Sequence, residues 1–372
     1  MKIIILSTAY PLRGGIAHFV GLLYKELLQE NEVKVITFKR QYPAILFPGK
    51  SQLETGDTTE KIDSEVLVDS INPLNWIKVG LKIKKEKPDL LIFKYWMPFF
   101  APCFGTISRI AKKNSVTKVL TICDNVIPHE RKPGDIALTK YFLKAVDYFV
   151  LLSEKVWKDL LSINPASKNK ILPHPIYSNF GLPIDKHEAR NHLKLKEGKL
   201  ILFFGFIRDY KGLDILFNSL NILKNEIDLK LIVAGEFYSN REKYLKLADE
   251  LGLKENLLLF TDFIPTSDVK YYFSAADCVI LPYRDATQSG IVQIAMNFRK
   301  PVIATNVGGL GEVIGDGKTG FIVEKDNPGA LASSIKKFYL ENKEEEFIKN
   351  ISAEVEKYSW KNFVNGIYQL VK

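Results

Sequence analysis

Apolar and polar positions alternate along this chain in two ways. Short, nearly continuous apolar runs are separated by longer segments in which apolar residues recur at helical spacing, and this pattern is typical of buried parallel strands joined by helices. In the first half, the pattern predicts strands at Ile3–Ser7, Val33–Phe38, Glu65–Val68, Leu90–Phe93, Val119–Ile122 and Tyr148–Leu152. It predicts helices at His18–Gln29, Trp76–Lys85, Phe104–Lys113 and Ile136–Ala145, and a loop over 41–59.

A break at Leu172–Pro183 interrupts this pattern with prolines, a glycine and an asparagine, which predict a stiff linker. The alternation then restarts. The second half has predicted strands at Leu200–Phe204, Lys230–Ala234, Leu257–Phe260, Cys278–Leu281, Val302–Thr305 and Gly320–Val323. Its predicted helices are Gly212–Lys224, Arg241–Leu251, Thr266–Ala275, Ile291–Phe298, Pro328–Leu340 and a final helix over Glu344–Lys372, broken near Tyr358-Ser359.

Strands that alternate with helices predict a parallel sheet with helices on both faces. We therefore expect an α/β protein with two Rossmann-like, doubly wound domains over 1–178 and 179–357. Ligands of such sheets bind at the carboxyl ends of the strands. If the two domains face each other across a cleft, both sets of loops line it.

The composition fits this picture. A length of 372 residues favours two domains, and no apolar run reaches the roughly 18 residues that span a bilayer. The N-terminus resembles a first strand more than a signal peptide. Three scattered cysteines, Cys103, Cys123 and Cys278, offer no metal-binding spacing and suit a reducing compartment, so we expect a cytoplasmic protein.

The net charge of +9 lies entirely in the first half, where 26 Lys and Arg face 17 Asp and Glu over residues 1–178. Ten of these basic residues fall between Trp76 and Lys118. Such a face favours an anionic membrane surface at the inner side of a membrane, or an anionic substrate. A solvated lysine-rich surface is the alternative. No nucleic-acid-binding module is recognisable.

One stretch of the second half has the form of a phosphate site. The small polar loop Thr287-Gln288-Ser289-Gly290 leads into a predicted helix, whose first backbone N–H groups are unpaired and carry partial positive charge. An ordinary strand–loop–helix connection is the alternative.

Two cations lie in the loop after the first strand of the same half. Arg208 and Lys211 fall within Gly205–Asp214, between an apolar strand and a helix. An arginine can grip two phosphate oxygens and a lysine adds a point charge, so the pair predicts a diphosphate site. Two exposed surface cations are the alternative.

Other candidate residues follow strands of the first half. Gly14 and Gly15 let a backbone approach a ligand between strand and helix, although they do not form a dinucleotide fingerprint. Asp124 and His129 could bond a sugar hydroxyl or handle a proton, while His129 could equally be plain surface. The chain has no Asp-x-Asp motif, so we expect no metal and no other cofactor.

Several segments together resemble glycosyltransferase family 4, the retaining nucleotide-sugar transferases of GT-B fold. The resemblance covers nearly the whole chain and is most specific in the second half. It rests on Gly14-Gly-Ile-Ala-His-Phe, Cys123-Asp-Asn-Val-Ile-Pro-His-Glu, Leu172-Pro-His-Pro-Ile-Tyr, Gly205-Phe-Ile-Arg-Asp-Tyr-Lys-Gly-Leu-Asp, Val233-Ala-Gly-Glu, Phe263-Ile-Pro, Ser274-Ala-Ala-Asp-Cys-Val-Ile-Leu-Pro-Tyr, the Thr287-Gln-Ser-Gly loop and Gly308-Gly-Leu-Gly-Glu-Val-Ile-Gly.

The resemblance implies a nucleotide-sugar donor in the second domain, an acceptor in the first, and a last segment, 358–372, that crosses back to the first domain. It implies that Arg208 and Lys211 bind the donor diphosphate and that Gly15 meets it from across the cleft. Around the diphosphate it implies backbone groups of Thr287, Gln288, Ser289 and Gly290, and around the base or ribose Gly235, Glu236, Phe263 and Ile264.

Three departures from the family pattern are visible. At two positions where the family often has glutamates, this chain has Ala286 and Ile294, whose side chains cannot bond a hydroxyl. Gln288 or Gln293 could substitute for them. Asp124 stands where many members have a histidine, and Phe206 replaces the first arginine of a usual pair.

We therefore expect a retaining transferase that acts on a UDP- or GDP-sugar and a glycan or lipid-linked acceptor in surface polysaccharide or glycolipid synthesis. A GT-B epimerase and a catalytically silent nucleotide-sugar-binding module are the alternatives. The very apolar stretch Tyr95–Phe104 is interpreted as part of the acceptor side, in contact with a lipid tail, or else as a buried strand-to-helix connection.

Overall fold

The computed structural model describes residues 1–43, 52–53, 61–128, 132–238 and 240–372. The chain divides into two compact units, one formed by Met1–Pro175 with Ser359–Lys372 and the other by Ile176–Tyr358. Most of the loop predicted over 41–59 and the candidate His129 lie outside the described residues.

The first unit is built on a parallel sheet with the strand order β3-β2-β1-β4-β5-β6-β7. Its central strands are apolar and buried, as in a sheet covered on both faces. The strands are β1 Lys2–Leu6, β2 Glu32–Arg40, β3 Ser64–Asp69, β4 Leu90–Tyr95, β5 Lys118–Cys123, β6 Tyr148–Leu151 and β7 Lys168–Ile171. The helices between them are α1 Gly15–Leu28, α2 Pro73–Glu86, α3 Ala101–Ala111, α4 Asp135–Leu143 and α5 Glu154–Ile163.

The second unit has a parallel sheet in the order β10-β9-β8-β11-β12-β13, which is the strand order of a dinucleotide-type Rossmann sheet. The strands are β8 Lys199–Phe204, β9 Leu229–Ala234, β10 Leu257–Phe260, β11 Cys278–Leu281, β12 Val302–Thr305 and β13 Gly320–Val323. The helices are α6 Lys186–His192, α7 Leu213–Leu223, α8 Arg241–Glu250, α9 Val269–Ala275, α10 Gly290–Asn297, α11 Leu310–Val313, α12 Pro328–Leu340 and α13 Lys343–Glu354.

The chain ends in a helix that belongs to the first unit, α14 Trp360–Val371. Its N-cap is Ser359, whose hydroxyl accepts a hydrogen bond from the backbone N–H of Asn362. The rings of Trp360 and Phe363 pack edge-on against Phe19 of α1, with centroids 4.9 and 5.8 Å away. The predicted break near Tyr358-Ser359 is therefore confirmed, and the last helix completes the hydrophobic cover of α1.

The prediction of two Rossmann-like α/β domains is confirmed, and every predicted strand is present. The sequence pattern missed α5, α6, α11 and β7. Among the described residues, no helix is both long and apolar enough to cross a bilayer.

Most of the apolar stretch Tyr95–Phe104 is buried in the first unit's core, where Phe100 packs between Phe38 and Phe104. Its interpretation as a lipid contact is wrong for these side chains, and the alternative, a buried strand-to-helix connection, is confirmed. The reason is that β4 feeds directly into α3, so that this segment's aromatic rings are needed to fill the space between sheet and helix.

Candidate active site

The candidate site lies at the switch point of the second sheet, where β8 and β11 are neighbours and the strand order reverses. The loop after β8 carries Arg208 and Lys211, and the loop after β11 leads to α10. The two loops touch, because the backbone N–H of Arg284 donates to the carbonyl of Tyr210 over 2.7 Å. The sequence-predicted cations and the predicted phosphate loop therefore share one edge of one sheet.

Lys211 is buried, with only 8 % of its surface exposed. Its Nζ lies 5.7 Å from the centre of the Tyr283 ring, and a Cβ on Gly205 would lie 3.1 Å from it. Burial, and to a smaller extent the nearby positive charge of Arg208, lowers the pKa of Lys211 to about 7. The alternative of an exposed surface cation is therefore wrong for Lys211.

Arg208 is exposed and lies over an aromatic platform. Its guanidinium carbon is 5.4 Å from the centre of the Tyr238 ring, and that ring stacks on Phe206 at 4.4 Å. Phe206, which departs from the family's arginine, thus supports the arginine that remains. An anion placed between Arg208 and Lys211 would relieve their mutual repulsion and favour the protonated amine.

The loop Thr287–Gly290 is held by the turn that follows β12. The carbonyl of Thr287 accepts a hydrogen bond from the N–H of Gly309 over 2.9 Å. Gly308 has a φ of +53°, and a Cβ there would lie 1.8 Å from the carbonyl oxygen of Ala286, so only glycine fits. Thr287 and Ser289 are buried and Gln288 is half-buried.

Helix α10 begins at Gly290 without a side-chain cap, because the hydroxyl of the preceding Ser289 makes no capping bond. The first N–H groups of a helix need an acceptor from outside the helix, and they carry the positive end of its dipole. This start can receive an anion. Phosphate binding here stays a prediction.

Gln293, one turn into α10, is fully buried, and neither its amide nitrogen nor its amide oxygen has a hydrogen-bond partner in the described structure. Helical side chains lean toward the N-terminus, so Gln293 lies over the turn at Ser289 and Gly290. An unpaired buried amide is costly and calls for a water molecule or a ligand. Ala286 and Ile294, where the family often has glutamates, are buried apolar residues.

We expect the substitution Gln293→Met to raise stability while weakening nucleotide binding. Methionine has nearly the same length and removes both unpaired polar atoms, so the free energy of unfolding should rise by about 1–2 kcal/mol. Urea unfolding measures the first effect, and the shift in melting temperature with a nucleoside diphosphate measures the second. A loss of stability without a loss of binding would contradict a ligand-facing role for this amide.

The residues predicted around the base or ribose follow β9 and β10, at the same edge of the second sheet as the loop after β8. Gly235 follows β9 at a φ of +137°, and a Cβ there would lie 2.4 Å from the carbonyl oxygen of Gly205. The carbonyl of Glu236 accepts from the N–H of Ile207 over 2.8 Å, which joins this segment to the cation loop. Phe263 and Ile264 follow β10 and are half-buried.

In the first unit, the predicted residues also follow strand ends. Gly14, at a φ of +110°, precedes α1, and Gly15 is its first residue. Asp124 follows β5 and forms an ion pair with Lys94 of β4. His129 falls outside the described residues.

Lys94 is a candidate that sequence reasoning missed. Its side chain is buried, with its ammonium 3.9 Å from the centre of the Phe19 ring. Burial lowers the pKa of Lys94, and the charge of Asp124 partly restores it. A lone lysine inside the apolar run Leu90–Tyr95 was the available signal, since buried cations are normally paired.

Two histidines of the first unit, His18 and His174, are buried. Burial lowers the pKa of His18 to about 4. Burial also lowers the pKa of His174 to about 3, and its Nδ1 lies 2.7 Å from the carbonyl oxygen of Pro175. Both are therefore neutral at pH 7, and neither supplies a cation to a ligand. Among the described residues, no group of three or more His, Cys, Asp or Glu is placed to hold a metal ion.

Comparisons with known proteins agree with this architecture. Residues 185–354, within the second unit, match the family model described as glycosyl transferases group 1. An uncharacterized glycosyltransferase of Methanocaldococcus jannaschii is 27% identical over 99% of this chain and 97% of its own length. The capsular polysaccharide biosynthesis glycosyltransferase CapM of Staphylococcus aureus is 27% identical over 70% of each chain.

Among solved structures, Anabaena HepE in complex with UDP superimposes with a TM-score of 0.78 at 17% identity, covering 99% of both chains. At that identity the likeness concerns the fold. The comparisons therefore show the GT-B fold for this chain, and the match to the glycosyl transferases group 1 model covers residues 185–354 of it.

Proposed function

We propose that this protein is a retaining glycosyltransferase that moves a sugar from a UDP- or GDP-linked donor to a glycan or a lipid-linked acceptor. The observation that carries the proposal is the buried amine of Lys211 beside Arg208, on the loop that touches the segment leading to the uncapped start of α10. Two cations and a helix start suit a diphosphate, and they are the groups that stabilise it as it leaves.

The proposed reaction is a substitution on one face of the sugar. The bond between the anomeric carbon and the diphosphate oxygen breaks, and the acceptor hydroxyl attacks the same face. The departing diphosphate oxygen takes the acceptor's proton, so no strong protein base is required. Arg208 and Lys211 offset the charge that develops on the diphosphate, and Gln293 together with the backbone near Gly235 would hold the nucleoside.

On the acceptor side, we propose that the carboxylate of Asp124 binds an acceptor hydroxyl, with His129 as a second candidate for this role. Lys94 would act through Asp124 by keeping that carboxylate paired and fixed in place. Gly14 and Gly15 would let the backbone before α1 approach the donor phosphate.

The proposed acceptor class is supported by the name of one relative and by the distribution of charge. The name of the S. aureus relative refers to capsular polysaccharide synthesis, which favours a surface glycan or its lipid-linked precursor. The first half holds the whole positive excess of the chain, which suits a cytoplasmic protein that works at the inner face of a membrane. No metal is proposed, because cations and a helix start would take its place on the diphosphate.

The proposal is tested by the nucleotide that binds and by the stereochemistry of the product. We expect UDP or GDP to raise the melting temperature, and the matching nucleotide-sugar to give a product whose anomeric configuration, followed by NMR, is that of the donor. Activity should survive EDTA. An inverted product would refute the retaining mechanism, conversion of the donor without acceptor would favour the epimerase, and tight binding without turnover would favour the silent module.

Nucleotide affinity should depend on pH through Lys211. Its pKa of about 7 means that the amine of Lys211 loses its charge in the free protein as the pH rises. Binding of UDP or GDP must then be accompanied by uptake of a proton from the buffer by this amine. Between about pH 7 and 9 the affinity should fall by up to about tenfold per pH unit. Calorimetry in buffers of different ionisation enthalpy should show proton uptake on binding.

The variant Lys211→Arg keeps the positive charge at every pH in this range. We expect its affinity profile to be flat where that of the original protein falls. A falling profile in both proteins would show that Lys211 is not the titrating group.

A further inference from the structure

The outer face of α2 (Pro73–Glu86) carries an exposed apolar stripe. Leu74, Ile77 and Leu81 are 78, 43 and 52 % exposed. At about 3.6 residues per turn, these positions fall on one side of the helix. Singly exposed leucines are common on protein surfaces, but three large apolar side chains aligned on one helix usually mark an interaction surface.

The opposite side of α2 is fixed to the first unit. Val79 and Ile83 are buried, and a Cβ on Gly80 would lie 2.8 Å from the Cβ of Ile110 of α3. The helix is also capped, because the Asn72 side chain accepts from backbone N–H groups of its first turn. The helix is therefore rigidly packed, and its outer stripe is an exposed face of a stable element.

Lysines border the stripe on both sides. Helical spacing puts Lys78 and Lys85 along one edge and Lys84 along the other. The acidic residue of this helix, Glu86, is paired with Lys34 and Lys82. The stripe is thus apolar in its centre and positive at its margins.

We propose that this face of α2 docks the protein on an anionic lipid surface. Apolar side chains between lysines are the arrangement with which a helix lies in the plane of a membrane interface, with leucines among the acyl chains and ammonium groups at the phosphates. The negative surface attracts each lysine. The proposal rests on the proposed function in one respect, because docking would bring the protein to an acceptor that lies in the membrane.

Docking on α2 also replaces the interpretation of Tyr95–Phe104 as the lipid contact. That segment is mostly buried, whereas α2 precedes β4 and exposes its apolar side chains. The basic residues between Trp76 and Lys118 include the lysines of this helix.

Sedimentation of the full chain with lipid vesicles tests the proposal. We expect binding to vesicles of phosphatidylglycerol and phosphatidylcholine, and little binding to phosphatidylcholine alone. The double variant Leu74→Ser/Leu81→Ser should bind at least about tenfold more weakly, since its apolar contact is lost. Because both leucines are already exposed, the variant should fold normally, and its melting temperature checks this.

The matched control for the apolar stripe is Leu182→Ser, since Leu182 is 79 % exposed but lies in the second unit. For the charges, Lys78→Gln/Lys85→Gln should weaken binding by about tenfold, whereas Lys246→Gln/Lys349→Gln on the second unit should not. Unchanged binding of the α2 variants, or equal binding to neutral vesicles, would overturn the proposal. A change in self-association in place of vesicle binding would overturn it too, in favour of a protein interface.

Failure of the docking proposal can be distinguished from failure of the proposed transferase function. In vesicle-free solution, the α2 variants should keep the melting shift with UDP or GDP and their transfer to a water-soluble acceptor. A protein that docks but transfers no sugar would refute the transferase alone. A protein that transfers sugar but binds no anionic vesicle would refute the docking alone.

Discussion

Removing both cations of the proposed diphosphate site is expected to lower the rate of sugar transfer by at least about 10³-fold. Loss of one preorganised group that stabilises a leaving charge typically costs about 10²–10³-fold in rate. Arg208→Ala and Lys211→Ala should each fall in this range. The double variant should lose at least about 10³-fold, but less than the product of the two single losses, because both groups would act on the same diphosphate.

Steady-state kinetics with the identified donor measure these losses as kcat/KM. The control is Lys246→Ala, which removes one exposed cation from α8 of the same unit and should change little. Lys211→Met keeps the apolar stem of a buried side chain, so it separates loss of charge from loss of packing. Turnover within about threefold of the original protein in the double variant would remove the basis for a diphosphate site here.

The second large effect concerns the turn that holds the loop Thr287–Gly290, the proposed phosphate site. Gly308→Ala puts a methyl group 1.8 Å from the carbonyl oxygen of Ala286, at a φ of +53°. The backbone of the loop must move or the fold must open. We expect a loss of more than about 4 kcal/mol in the free energy of unfolding, or a folded protein in which nucleotides no longer raise the melting temperature.

Gly317→Ala is the matched control, since Gly317 has a φ of +70° but no atom within 4 Å of the added methyl group. It carries the backbone strain without the clash and should cost about 1–2 kcal/mol. Urea unfolding of the two variants compares them directly. Equal losses would show that the contact with Ala286 does not fix the loop.

The strands of both sheets could be predicted because each central strand is a continuous apolar run. Edge strand β7, Lys168–Ile171, could not, because its residues are half-buried or exposed and include two lysines. It exists through backbone hydrogen bonds to β6, and such bonds leave no side-chain pattern. Helix α6 is short and mostly polar, so it too gives a weak periodic signal.

The candidate site could be located from the sequence, but its electrostatics could not. Lys211 lies in a polar loop, which favours an exposed side chain. Its burial arises only when β8 and β11 bring Gly205 and Tyr283 against it. In the same way, the sequence suggested Gln293 as a substitute for a carboxylate without indicating that its amide is fully enclosed.

The ion pair between Lys94 and Asp124 could not be predicted from the sequence either. The two residues lie 30 positions apart, and they meet because β4 and β5 are adjacent in register, with Tyr95 opposite Cys123. Pairing of strands is a property of the folded sheet, so the partner of a buried lysine cannot be inferred from its neighbours in the chain.

The return of α14 to the first unit has a consequence for the order of synthesis. The second unit, Ile176–Tyr358, is inserted within the first, and its ends are joined by a hydrogen bond of 3.0 Å from the N–H of Ile176 to the carbonyl of Tyr358. On the ribosome, the whole of the inserted unit emerges before the helix that covers Phe19. Synthesis of the second unit is therefore complete before α14 emerges, and the ring of Phe19 on α1 stays uncovered by α14 until then.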